Sequence, residues 1–250
     1  MKIAFSTLGC PDFSWNDIYS MAKDFGFDGI EIRGLGSEIF AVNAQPFTEA
    51  QLPHTVKKLS ELRLEIPCLS SGCCLKFAEN VEENHKEIIQ YIDLASKLGT
   101  PYIRILADLE PHPNGEVDDS VVLAALQRLA PLAEEKGVTL LVETNGVYSD
   151  TARLCSLLDH VASDAVAALW DLHHPYRFAG EKPGKTVHNL GAYIKYVHIK
   201  DSIMENGVPK YRMMGEGDLP IDDMMMALRS INYEGYVSLE WVKRWATDLD

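Results

Sequence analysis

Short apolar runs alternate with amphipathic segments along this 250-residue chain, with a period of roughly 30 residues. Eight runs have the length of buried strands: Lys2–Ser6, Gly29–Arg33, Glu65–Leu69, Tyr102–Leu106, Val138–Val142, Val166–Trp170, Lys195–Ile199 and Tyr236–Leu239. Helical segments separate them. Ser14 caps one that runs through Phe25 and stops at Gly26, and Thr48 caps another that reaches about Leu62. After the loop Ser70–Cys74, Val81–Leu98 carries an apolar stripe of Ile88, Ile89, Ile92 and Ala95 and ends at Gly99. Asp118–Lys136 is stopped by Gly137; Asp150 or Thr151 opens a helix to about Val161. Residues 181–193 read as a shorter helix, and Asp222–Ser230 as the last. Strands joined by helix-length crossovers pair in parallel, with right-handed connections. The rival, an open doubly wound sheet, lacks its Gly-rich dinucleotide fingerprint after the first strand. The prediction is therefore an α/β fold, a (β/α)8 TIM barrel, as a single domain over residues 1–250. Ten residues follow Glu240, so the eighth helix is expected to be short or missing.

The formal net charge of −14 argues against a nucleic-acid substrate, which calls for a basic face. Cys10, Cys68, Cys73, Cys74 and Cys155 show no zinc-type pairing, and adjacent Cys73 and Cys74 suit a disulfide poorly. Reduced thiols in a cytoplasmic protein are expected. No signal-peptide pattern appears, and no apolar run approaches the roughly 18 residues of a membrane span.

Four of the late runs end in an acid or an imidazole: Glu143, Asp171, His198 and Glu240. Parallel barrel strands all end on one face, so these side chains can converge there. Three carboxylates and one imidazole form a donor set for one divalent ion, with Mn²⁺, Mg²⁺, Co²⁺ and Zn²⁺ all suitable. Glu143 has a structural alternative, a buried ion pair with an arginine such as Arg104. His174 is a candidate donor to a substrate oxygen or a loop histidine satisfied by backbone; His173 points elsewhere if the segment stays extended. Lys200 shares strand parity with His198 and can neutralise a substrate oxygen or pair with an acid. Asp201 reads as a support for the ligands or a loop cap. Arg212, in the glycine-rich stretch Arg212–Asp218, either reaches a substrate hydroxyl or phosphate or is solvated. Asp218 reads as a loop terminator. Lys243 and Arg244 either reach over the mouth or lie on the surface, and Glu31 and Arg33 are weaker candidates.

Six motifs in order, Gly26–Arg33, Val142–Asn145, Leu169–His174, Val197–Asp201, Gly215–Asp218 and Ser238–Glu240, make the chain resemble the xylose-isomerase-like barrels, the sugar phosphate isomerases and epimerases. The resemblance runs from Lys2 to about Arg244. It implies metal ligation by Glu143, Asp171, His198 and Glu240, and substrate contacts from His174 and Arg212. The ketose 3-epimerase branch carries a second glutamate six residues after the first, where this chain has Ser149. The nuclease branch, endonuclease IV, uses a histidine-rich three-zinc site, and no matching cluster lies upstream of Glu143.

The expected activity is a divalent-metal-dependent sugar or sugar phosphate isomerase or epimerase. One of Glu143 and Glu240 removes a proton next to a carbonyl, a metal-bound enediolate forms, and the other returns a proton. Alternatives are an inosose-type dehydratase on the same site, an endonuclease IV-like phosphodiester hydrolase and a catalytically silent sugar-binding barrel. The expected partners are a small sugar or hydroxy-ketone and further copies of the chain in a homo-oligomer, with no membrane and no nucleic acid.

Overall fold

The structure is a computed structural model and describes residues 1–249. Its strands are β1 (Lys2–Ser6), β2 (Gly29–Glu31), β3 (Cys68–Cys74), β4 (Tyr102–Leu106), β5 (Thr139–Glu143), β6 (Val166–Asp171), β7 (Ile194–Ile199), β8 (Asp201–Glu205), β9 (Val208–Arg212) and β10 (Tyr236–Leu239). Eight of them form one sheet in the order β2-β1-β10-β7-β6-β5-β4-β3. Every paired neighbour is parallel. Parallel bridges Gly29–Glu65 and Ile32–Leu69 draw β2 to β3 and nearly close the barrel. The helices are α1 (Trp15–Asp24), α2 (Leu52–Leu62), α3 (Val81–Leu98), α4 (Asp119–Glu135), α5 (Thr151–Val161), α6 (His173–Phe178), α7 (Pro183–Leu190) and α8 (Ile221–Ser230). Among the described residues no helix is long and apolar enough to cross a membrane.

The main core lies between sheet and helices, where Ile30, Ile103, Leu140, Val142 and Val197 meet Ile18, Ile88, Leu126 and Leu154. A second cluster, Leu141, Leu169, Tyr196, Tyr236, Ala4 and Cys68, fills the barrel interior. Side chains alternate across a strand. Two residues further along, the same inward face therefore carries Glu143, Asp171, His198 and Ser238, one polar layer above an apolar floor. This alternation sets the position of the site.

The structure departs from the sequence reading in four places. Helix α2 begins at Leu52 because Pro53 fits a first helical turn and would break a helix already under way. Thr48 instead closes the preceding 3-10 turn, its hydroxyl donating to Gln45 O at 2.9 Å. Strand β3 lies later than expected, running through the Ser70–Cys74 segment by way of a register shift against β4. His173 opens a six-residue helix rather than an extended segment, too short to print a helical period. The stretch after β7 is an antiparallel hairpin, β8–β9. Its turn residues Asn206 and Gly207 have φ of 51° and 80°, the left-handed pair a tight hairpin requires. After β10 the described residues form turns without a helix, which agrees with the expectation of a short or missing eighth helix.

Candidate active site

Glu143, Asp171, His198 and Glu240 do converge. Each offers one donor atom, and the four atoms lie within 4.8 Å of one another. His198 organises the set. Its Nε2 contacts Glu31 Oε1 and Oε2 at 3.1 and 3.0 Å, and Glu31 also accepts from the hydroxyls of Ser70 and Ser238, each at 2.7 Å. Nδ1 is buried without a hydrogen-bond partner and faces oxygens of Glu240 at 3.4 Å, Glu143 at 3.6 Å and Asp171 at 3.8 Å. An imidazole clamped at one nitrogen, with the other turned toward three carboxylates, is the arrangement metal-binding histidines adopt.

The charges are held strongly. Burial alone would push His198 down, but Glu31, Glu240 and Glu143 outweigh it and hold it well above the ordinary histidine range. Burial alone would raise Glu31; His198, Ser70 and Ser238 bring it to about 2. Burial also opposes ionisation of Glu143, yet the Arg104 guanidinium and His198 hold its carboxyl well below the usual range. Arg104 Nε lies 3.1 Å from Glu143 Oε2 as an ion pair without hydrogen-bond alignment, while Nη1 donates to Ser71 O at 2.9 Å. Both readings of Glu143 therefore hold together: it pairs with Arg104 and belongs to the donor set. Lys200 Nζ bridges Asp171 Oδ2 and Glu240 Oε2 from below the surface. Four buried carboxylates (Glu31, Glu143, Asp171, Glu240) thus face Lys200, Arg104 and the protonated His198, and a divalent ion that displaced the His198 proton would balance the set.

Asp171 also ties the site to α6, its Oδ1 accepting the backbone N–H groups of His173 and His174 at 2.9 and 3.3 Å. A second donor set, Asp171, His173 and His174, overlaps the first. It is the poorer site for a divalent cation, because it offers one carboxylate where the first set offers three. His174 Nδ1 lies 3.1 Å from Thr144 O. A carbonyl only accepts, so Nδ1 carries the proton and Nε2 presents a lone pair. Burial and the Lys200 ammonium bring His174 down to about 3, so the ring is neutral. Its Nε2 is therefore a hydrogen-bond acceptor rather than a donor.

Glu143, Glu240, Lys200, Arg104 and His174 line a cavity of about 350 Å³ at the C-terminal ends of the strands, walled on its apolar side by Leu106, Leu109, Pro111 and Trp245. A larger surface cleft of about 480 Å³ beside Lys243 and Arg244 contains none of the four converging donors. The wall is braced from β5. Asn145 Nδ2 donates to the carbonyls of Asp108 and Glu110 at 2.8 and 2.9 Å. Gly146 has φ of 57° and admits no side chain, since a Cβ would meet Asp108 Oδ2 at 2.2 Å.

Arg212 lies elsewhere. It pairs with Glu205 across the hairpin at 3.0 Å, and its neighbour Tyr211 turns into the cavity instead. Asp201 is a loop anchor, accepting from the backbone N–H groups of Gly215 and Gly217 at 3.0 and 2.9 Å. Asp218 accepts from Arg177. Arg33 packs on the Trp245 ring, 5.5 Å from its centroid, and Arg244 Nη1 donates to Gly36 O. Sequence reasoning missed Tyr211; the Asn206-Gly207 turn signal pointed to the hairpin that carries it.

Known proteins share this arrangement of strands. The chain is 24% identical to fructoselysine 3-epimerase of Escherichia coli O157:H7, over 99% of this chain and 93% of that protein. It is 24% identical to inosose dehydratase of Clostridium perfringens, over 74% of this chain and 72% of that one. Among solved structures, D-psicose 3-epimerase in the presence of D-fructose aligns with a TM-score of 0.79 at 17% identity, covering 100% of this chain and 93% of the other. The IOLI protein with a bound zinc atom aligns with a TM-score of 0.76 at 17% identity, covering 97% and 89%. Sugar epimerases and a dehydratase are thus its relatives, and an enzyme of sugar conversion fits both them and the polar barrel mouth. A family model matches residues 20–250, and with the barrel and its polar mouth in view, the chain belongs to the xylose isomerase-like TIM barrel family.

Proposed function

We propose that this protein is a divalent-metal-dependent epimerase or isomerase of polyhydroxy ketones. The observation that carries the reading is His198 Nδ1, buried, unpartnered and facing three carboxylates while Glu31 holds the opposite nitrogen. Glu143, Asp171, His198 and Glu240 would hold the ion. When bound, such an ion supplies Lewis-acid polarisation of a substrate carbonyl and its neighbouring hydroxyl.

The chain's own groups account for the rest of the reaction. Glu143 ends β5 and Glu240 directly follows β10, with β6 and β7 between those strands, and both line the cavity. One carboxylate takes the proton from the carbon next to the carbonyl. The other returns a proton to the opposite face, for epimerisation, or to the neighbouring carbon, for isomerisation. Neutral His174 accepts from a substrate hydroxyl through Nε2. Lys200 stabilises developing negative charge on a substrate oxygen. The apolar wall excludes water from the carbanion-like intermediate.

A dehydratase is the second reading, favoured by the similarity to inosose dehydratase. The same proton abstraction would begin it, and departure of a β-hydroxyl as water would end it. Glu143→Gln and Glu240→Gln, each loaded with Mn²⁺, test the acid–base pair. Each is expected to lose roughly a hundredfold or more in turnover. Full turnover in both would contradict the assignment.

A further inference from the structure

The hairpin β8–β9 stands outside the barrel sheet, yet it delivers a side chain to the reacting centre. Tyr211 lines the cavity together with Glu143, His174, Lys200 and Glu240. Among the described residues its hydroxyl makes no hydrogen bond, although the half-buried ring lies within electrostatic reach of Lys200, Asp171, Glu240 and Glu143. Burial holds the phenol above its ordinary range, so it is an O–H donor at neutral pH. A phenol brought into such a polar mouth without a partner there leaves a donor to be satisfied by what enters.

The ring is fixed rather than free to swing. Its centroid lies 5.7 Å from that of His173, whose Nε2 contacts Ser202 Oγ at 3.0 Å. Arg177 donates to Ser202 Oγ at 3.0 Å and to Ser202 O at 2.6 Å. Asp201 pins the loop beyond the hairpin through the N–H groups of Gly215 and Gly217. Gly217 is sterically required, because a Cβ there would come within 1.9 Å of Asp201 Oδ1. His173 and Arg177 thus hold β8 through Ser202, the residue paired with Tyr211 across the hairpin, while Asp201 fixes the loop that follows.

We infer that Tyr211 is a substrate-contacting residue whose O–H donates to one hydroxyl or carbonyl oxygen of the ketone, making the hairpin an element of substrate specificity. The inference rests on the polyhydroxy-ketone reading above and names a contact within it. A site that hydrogen-bonds a particular hydroxyl rejects the analogue lacking it.

The test compares wild type and Tyr211→Phe, both Mn²⁺-loaded, for binding of D-fructose, D-allulose and myo-inosose by calorimetry, with deoxy analogues of whichever binds. Tyr211→Phe keeps the ring, so melting temperature and Mn²⁺ affinity are expected to stay at wild-type values. The parent ketone is expected to bind roughly five- to tenfold more weakly, as for the loss of one hydrogen bond. For one deoxy analogue the two proteins should bind alike, which identifies the oxygen that Tyr211 meets. Wild-type binding of a ketone with equal binding by Tyr211→Phe would overturn this inference alone. Failure of the wild type to bind any of the three would overturn the polyhydroxy-ketone reading, and the Tyr211 contact with it.

Discussion

Replacing Glu31 by glutamine would show whether the layer behind the ligands matters as much as the geometry implies. Glu31 does not line the site cavity, yet it holds His198 Nε2 through both carboxylate oxygens and takes a hydroxyl on each. Its carboxyl is held at about 2 against an ordinary 4.5, an interaction shared with His198 and counted once. That shift corresponds to a preference for the ionised form of about 3 kcal/mol. Glutamine keeps the shape but removes the charge, and its amide presents two donors and one acceptor to two hydroxyl groups and a ring. His198 then loses the clamp that aims Nδ1 at the three carboxylates. Losses of this kind weaken metal binding by roughly 10- to 100-fold, or about 1.4–2.7 kcal/mol. Competition titration of Mn²⁺ or Zn²⁺ against a chelator measures it, with circular dichroism to establish folding. A folded Glu31→Gln protein that binds metal within twofold of wild type would refute the claim that Glu31 orients a ligand.

Two further outcomes follow from the same geometry. Gly217→Ala would drive a methyl group into Asp201 and break the anchor of the hairpin loop, costing about 1–3 kcal/mol of stability. Thermal unfolding should show the loss, and turnover should fall while metal affinity changes little. Metal binding should also release close to one proton. His198 is held protonated well above its ordinary range when no ion is present, and a metal needs its Nδ1 lone pair. Affinity should therefore rise with pH up to the folded-state pKa of His198, and calorimetry in buffers of different ionisation enthalpy would count the proton.

The barrel was legible because its two periods are strong. Apolar runs of strand length, each followed by an amphipathic segment, leave few alternatives to a parallel sheet. The converging residues were legible because Glu143, Asp171, His198 and Glu240 each follow an apolar run, and strand ends share one face. Arg104 was named as a partner for Glu143, and the structure pairs them at 3.1 Å. What the sequence concealed depended on contacts between distant elements. Glu31 looked weak in its three-residue strand because its importance comes from His198, far along the chain. Helix α6 was hidden because six residues carry too little periodicity. Tyr211 was overlooked beside the more conspicuous Arg212, since alternation on β9 turns one inward and the other toward Glu205. The His174 tautomer needed the Thr144 carbonyl to set it.

The central claim is proton transfer at a carbon next to a carbonyl. It is tested most directly by incubating the Mn²⁺-loaded protein with ketoses, inososes and hydroxy-ketones in D₂O and following the carbon-bound protons by NMR. Deuterium at the carbon beside the carbonyl is predicted, and the labelled product distinguishes epimerase, isomerase and dehydratase. Metal bound and no deuterium incorporated across the panel would contradict it.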